Sequence, residues 1–164
     1  MALRTDWSER ACPIARGIDI LGDPWVLLIL RESLTGARRF DDFKERLGVA
    51  DNILTNRLKQ MVTDGLLERV PYSTGVRPRH EYAPTEAATD ALPLLHAYAL
   101  WAERHTPTDS DRKLGILCRA CGEESQHGER CTSCGATLVT ANVTWMRPGR
   151  WQGAGIDLID AVNA

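Results

Sequence analysis

Residues 118–135 read CRACGEESQHGERCTSCG, with Cys118-x2-Cys121 and Cys131-x2-Cys134 nine residues apart and a glycine, Gly122 or Gly135, directly after each pair. Few patterns restrict a fold so tightly. Two sulfurs three positions apart on a tight turn face one point, and a second such turn brings two more, so four thiolates can surround a single ion as a tetrahedron. The glycines suit a turn in which backbone amides approach the sulfurs and a Cβ would clash. A closed tetrahedron has no position left for water chemistry, so one structural Zn²⁺ per chain, held by Cys118, Cys121, Cys131 and Cys134, is the expected cofactor. Iron fits the same four sulfurs. A redox dithiol would call for a βαβ setting that this stretch lacks. His127, between the pairs, is a fifth candidate ligand, but four cysteines suffice and it reads as a surface-loop residue.

A chain of 164 residues has room for one ordinary domain and a small accessory module. Hydrophobic content of 43% beside 26% charged residues fits a globular chain and excludes a disordered or fibrous one. The polar, turn-rich stretch TPTDSDRKLG marks a linker. The expected organisation is α+β: a mainly helical domain over 1–106, a linker over 107–114, a small β-rich four-cysteine ribbon over 115–147 and a tail over 148–164. Strands are expected around Gly115–Arg119 and Thr137–Trp145, and the tail carries glycines without phosphate-loop spacing. No apolar segment follows the charged start MALRTDWSER, and the run Trp25–Leu30 is far too short to span a bilayer. The expected location is the cytoplasm, with no membrane partner, where cysteines stay reduced.

The first module is punctuated by local signals. Pro13 opens a helix with Cys12 at or beside its N-cap. Asp23 and Pro24 open a second, WVLLILRESL, apolar nearly all round and therefore central to the core. Phe40, Phe43 and Leu47 give a short third helix ending at Gly48, and a fourth follows the turn GVAD and ends at Gly65. LLERVPY, STGVRP and RHEYAP then read as a hairpin with Gly75 and Pro78 in its loop. Thr85 is the expected N-cap of a long last helix running to about His105, which Pro93 should kink or split. Helix, helix–turn–helix, hairpin, helix is the order of a winged-helix domain.

The fourth helix shows what such a domain would do. On a helical wheel Leu54, Leu58, Met61 and Val62 gather on one side, while Asn52, Thr55, Asn56 and Lys59 gather on the other. Asn and Thr are poor helix formers, so their choice on this face has a cost. Base edges in a DNA major groove offer a reason. Asn pairs with adenine, Thr contacts thymine, and Lys reaches guanine or phosphate. Arg77 and Arg79 on the hairpin would touch backbone phosphates or the adjacent minor groove. Although the chain carries a formal charge of −2, residues 57–80 hold Arg57, Lys59, Arg69, Arg77 and Arg79 against only Asp64 and Glu68. Zinc with four thiolates takes the whole chain to about −4, so the ribbon itself is a weak DNA clamp.

The segments CPIARGIDILGDPWVLLILRE, RRFDDFKERL, ILTNRLKQMVTDGLLER and RHEYAPTEAA resemble the HxlR-type winged-helix transcriptional regulators, relatives of the MarR-like group, from about Cys12 to His105. The resemblance implies a homodimer formed by the N-terminal and last helices, with two recognition helices on a palindromic double-stranded operator. It implies repression or activation of a nearby gene, and in some members oxidant sensing by a cysteine at the position of Cys12. It does not cover the ribbon.

Two residue patterns bear on those implications. In ALPLLHAYALWAERH, Leu92, Leu95 and Ala99 form one apolar stripe and Ala91, Leu94, Tyr98 and Trp101 another, which suits one face for the monomer and one for a partner. A thiol at a helix N-terminus, near Arg10 and Arg16, favours thiolate, so Cys12 is a redox-sensor candidate beside the bland reading of a packed cysteine; a small molecule is the other candidate effector. The rival to a regulator is a protein–protein module of the transcription machinery, a winged helix plus ribbon that reads no sequence. An enzyme is not expected, because no Walker loop, dinucleotide fingerprint, HExxH or supported Ser/His/Asp set occurs.

Overall fold

The Asp23 carboxylate accepts a hydrogen bond from the Trp25 N–H (2.9 Å), satisfying one of the orphan donors that start the central helix. This and all further geometry comes from a computed structural model that describes residues 7–73, 79–106, 113–146 and 155–161. Helix α1 spans Pro13–Leu21 and α2 Pro24–Leu34; α3 (Phe40–Leu47) and α4 (Asp51–Thr63) form the helix–turn–helix. Strands β1 (Leu67–Pro71) and β2 (His80–Pro84) make an antiparallel hairpin with Leu67 opposite Pro84 and Pro71 opposite His80. Helices α5 (Glu86–Asp90) and α6 (Leu92–His105) complete the first module. The ribbon is a four-stranded antiparallel sheet in the order β4-β3-β5-β6, from β3 (Gly115–Cys118), β4 (Glu124–Ser125), β5 (Val143–Met146) and β6 (Gly155–Asp157).

The helix ends follow the local signals. Gly48 closes α3 at φ +62°, a left-handed conformation that glycine adopts without a Cβ penalty. After α4 the Gly65 N–H reaches the Val62 carbonyl and the Leu66 N–H the Met61 carbonyl, the paired bonds of a Schellman ending around Gly65 at φ +75°. Pro93 does split the last helix: α5 ends at Asp90, and Pro93 sits in the first turn of α6, where its missing N–H is harmless. Thr85 precedes α5, but its hydroxyl donates to the Gly65 (2.6 Å) and Leu66 carbonyls and so ties the helix to the α4–β1 turn instead of capping it.

Val26, Ile29, Leu30 and Leu34 of α2 are buried together with Phe43 of α3, Leu54, Leu58 and Met61 of α4, and Leu92 of α6. This core continues into the ribbon through Ile116, Leu138, Val143 and Trp145, so the two modules share one interior. The tail is more than a trailing end. Its β6 pairs with β5, placing Thr144 opposite Asp157, and beyond it the Ile159 N–H donates to the Leu34 carbonyl at the end of α2 (3.0 Å). The hairpin loop with Gly75, Arg77 and Pro78, and linker residues 107–112, lie outside the described residues.

Candidate nucleic-acid interface and metal centre

The face of α4 opposite its buried Leu54, Leu58 and Met61 carries Asn52, Asn56 and Lys59, all exposed, with Thr55 half-buried beside them. Ile53, also exposed, adds an apolar side chain next to Asn52. The turn into α4 is stapled by Lys44 to Asp51 (2.9 Å). Arg57 has a different place from the one its charge suggests. It pairs with Asp23 at the start of α2 (2.6 Å), bracing the presented helix from behind.

On the hairpin, Arg79 is exposed, and its carbonyl accepts the Tyr72 N–H (3.0 Å) where the strands begin to diverge. Arg77 falls outside the described residues. Arg69 approaches the His80 ring nitrogen Nδ1 at 3.3 Å. Arg39, which sequence reasoning passed over, lies with its guanidinium 4.6 Å from the centre of the Tyr72 ring, a cation–π stack joining the start of α3 to the wing. Its only local signal is the Arg38-Arg39 pair before α3.

Cys12 is exposed at the N-cap of α1, in an open hollow lined by Trp7, Arg10, Ala11 and Ala15. The Arg16 guanidinium donates to the carbonyls of Arg10 (2.7 Å) and Ala11 (3.1 Å), so it is anchored next to the thiol's backbone. On the same helix Ile14 is 71% exposed and Ile18 about half exposed. On α6, Tyr98 and Trp101 are 60% and 55% exposed and Leu94 about half. Ala91, grouped by pattern with that outer stripe, is buried instead, because the chain turns there between α5 and α6.

In the ribbon the sulfurs of Cys118, Cys121, Cys131 and Cys134 all lie within 4.8 Å of one another. The Cys118–Cys134 and Cys121–Cys131 separations are 3.9 and 3.7 Å. A tetrahedron with metal–sulfur bonds of about 2.3 Å has edges of about 3.8 Å, so the cluster fits a four-sulfur metal centre. His127 is exposed and not among these ligands. The glycines after each pair adopt φ +79° and +74°, and their N–H groups bond back to the Cys118 and Cys131 carbonyls. A Cβ at either would meet nothing within 4 Å, so the left-handed backbone, not a clash, is what favours glycine there.

The thiols divide in character. The N–H groups of Cys134 and Ser133 pull the Cys131 thiol down to about 6. The Glu123 N–H lowers Cys121 in the same way, but desolvation and the neighbouring sulfurs of Cys134, Cys131 and Cys118 outweigh it and push that thiol up to about 12. A bound cation reverses this crowding by favouring thiolate at every ligand.

One buried residue was missed entirely. His96 of α6 is 0% exposed. Its Nδ1 lies 2.7 Å from the Gly128 carbonyl, and the Trp145 indole N–H donates to its Nε2 at 2.8 Å. A carbonyl only accepts and an indole only donates, so the ring is neutral with its proton on Nδ1. Burial pushes the imidazole below its ordinary value, and the bond to Gly128 opposes this only in part. The unfolded imidazole takes up a proton as pH falls through about 6.5 while the buried ring stays neutral, so stability is full above that pH and declines below it. The expected slope in that window is at most about 1.4 kcal/mol per pH unit. Denaturant titrations at several pH values check this. A His96→Leu variant should be less stable at pH 7.5 but lack this component, whereas an equal decline in both would assign the acid sensitivity to other groups.

The sequence comparisons agree with this geometry. Residues 20–110 match the profile of the HxlR-like helix-turn-helix family. An HTH-type transcriptional regulator of Mycobacterium tuberculosis is 35% identical over 131 residues, covering 80% of this chain and 82% of that protein. That span is too long for the winged-helix module alone, so the similarity extends into the second module. Among solved structures, the transcription factor PA1607 superposes with a TM-score of 0.68 at 31% identity, covering 82% of this chain and 93% of that one. The reduced form of the redox regulator HypR superposes at 0.53 with 25% identity, covering 58% of this chain and 94% of that one. These relatives are transcription regulators, not enzymes, and no helix among the described residues is long and apolar enough to cross a membrane. With a presented helix–turn–helix and a family profile matched across more than half its length, the chain belongs to the HxlR-like helix-turn-helix family of transcriptional regulators.

Proposed function

We propose that this chain is a homodimeric, sequence-specific DNA-binding regulator whose α4 reads base edges in the major groove of a palindromic operator. The observation that carries the reading is the exposed polar face of α4, with Asn52, Asn56 and Lys59 presented and Thr55 at its edge. Arg79 and Arg77 would bind phosphates, and Arg39 on its Tyr72 platform would join them. Pairing would use the exposed apolar residues of α1 and α6. The four cysteines would hold one zinc ion, whose closed tetrahedral shell suits a structural site. Exposed Cys12 would provide an oxidant or electrophile input, in keeping with the likeness to a redox regulator.

The ribbon leaves Asn56 and Lys59 uncovered, which favours DNA reading over a purely protein-binding module. Fluorescence anisotropy on the DNA upstream of the protein's own gene, against scrambled DNA, tests the proposal. Wild type should discriminate strongly, and Asn56→Ala should lose about 1–3 kcal/mol of that discrimination. Arg79→Ala should weaken both DNAs alike and reduce the salt slope by about 1. Equal binding to both DNAs by the wild type would reject the reading.

A further inference from the structure

Hydrogen bonds tie α6 to the second module. Both ring nitrogens of His96 are bound to ribbon groups, the Gly128 carbonyl and the Trp145 indole N–H, and the Leu114 N–H donates to the Glu103 carboxylate on the same helix (2.7 Å). Each partner of His96 sits on an element that leads to, or pairs with, one carrying a buried cysteine. Gly128 lies in the loop leading to Cys131, shaped by the Ser125 hydroxyl, which donates to the His127 and Arg130 carbonyls. Trp145 lies on β5, whose Val143 is paired with Cys118 of β3. The fit is close: a Cβ on Gly128 would stand 2.5 Å from the His96 Cβ. Cys118 and Cys131 are buried, while Cys121 and Cys134 are exposed.

We propose that occupancy of the four-cysteine site by a thiophilic divalent cation is a second regulatory input, transmitted through the Gly128–His96–Trp145 contact to α6. With the ion bound, the loop and β5 hold His96 and order the helix. With the ion withdrawn, four sulfurs crowded within 4.8 Å no longer share a positive centre, both partners of His96 shift, and α6 loosens. The outer face of α6 carries Leu94, Tyr98 and Trp101, so the pairing of protomers weakens with it. Only this last consequence rests on the dimer proposed above.

The test uses the full chain without DNA, so failure of the operator reading and failure of this inference are distinguishable. Zinc-loaded protein is compared with protein stripped by a pyridylamine chelator. The readouts are hydrogen exchange of the α6 amides and NMR exchange of the Trp145 indole proton. Stripping should speed exchange around His96 by roughly tenfold or more, reversibly on adding zinc. Gly128→Ala keeps all four cysteines and should show the same loosening with one zinc still bound; should it fail to fold, Trp145→Phe removes the indole donor together with some buried volume and serves in its place. Unchanged α6 exchange after stripping, or a zinc-loaded contact variant with wild-type protection, would overturn the proposal.

Discussion

Replacing Tyr98 and Trp101 together by glutamate is expected to yield a monomer in sedimentation equilibrium and to lower affinity for a two-half-site operator by about 10²-fold or more. The reasoning starts from exposure. Leu94, Tyr98 and Trp101 recur at i, i+4 and i+7 on α6, and Ile14 and Ile18 at i and i+4 on α1, yet all five face solvent in the single chain. Such large apolar side chains gathered on two helices mark a surface built to be covered. Each aromatic would bury in a partner's surface the more than half of its area that the single chain leaves open. A carboxylate at the same place would have to be desolvated against an identical carboxylate across a two-fold axis. Affinity falls because a monomer engages one half-site and loses the gain in effective concentration that linkage provides. Helical content should be unchanged, since neither residue contributes to the core. An undiminished dimer constant would place the interface elsewhere.

The second large effect concerns the metal. Cys118→Ser should leave the purified protein with almost no bound zinc and with rapid amide exchange across β3, β4 and β5. Structural zinc supplies an apparent free energy of roughly 10–16 kcal/mol in small zinc folds, more than a ribbon of this size can replace with its own core. Cys118 is the buried cysteine on the strand that joins β4 and β5, so its loss would remove both a sulfur from the proposed site and the anchor of the sheet. The helical signal in circular dichroism should persist, because α2, α3 and α4 have their own buried core. Elemental analysis of the wild type decides zinc against iron. A Cys118→Ser protein that kept one zinc per chain and a protected sheet would contradict the assignment.

What could be read from the residues alone follows a physical divide between local and distant causes. The start of α2, the end of α3, the turn after α4 and the split at Pro93 are set by caps, left-handed glycines and a missing N–H, all within a few residues of the effect. The four-cysteine cluster was equally readable, because each Cys-x2-Cys turn brings its two sulfurs together by local geometry and only the meeting of the two turns is long-range. Contacts between distant segments carried no such mark. Arg57 looked like one more cation on a DNA-facing helix until its partner proved to be Asp23. His96 drew no reading at all, since nothing nearby in the sequence announces Gly128 or Trp145. The three residues of β6 are too few to show an alternating pattern, and only their pairing with β5 makes them a strand.

The most direct test of the central claim, that the polar face of α4 reads bases, is a double-mutant cycle between protein and DNA. Once the preferred operator is selected, each adenine is replaced in turn by 7-deazaadenine, which keeps pairing but removes the N7 acceptor. Affinity is then measured for wild type and Asn56→Ala. At one position in each half-site the replacement should cost the wild type about 1–3 kcal/mol and cost Asn56→Ala almost nothing. Penalties that simply add at every adenine would mean that Asn56 does not read the operator through an adenine edge.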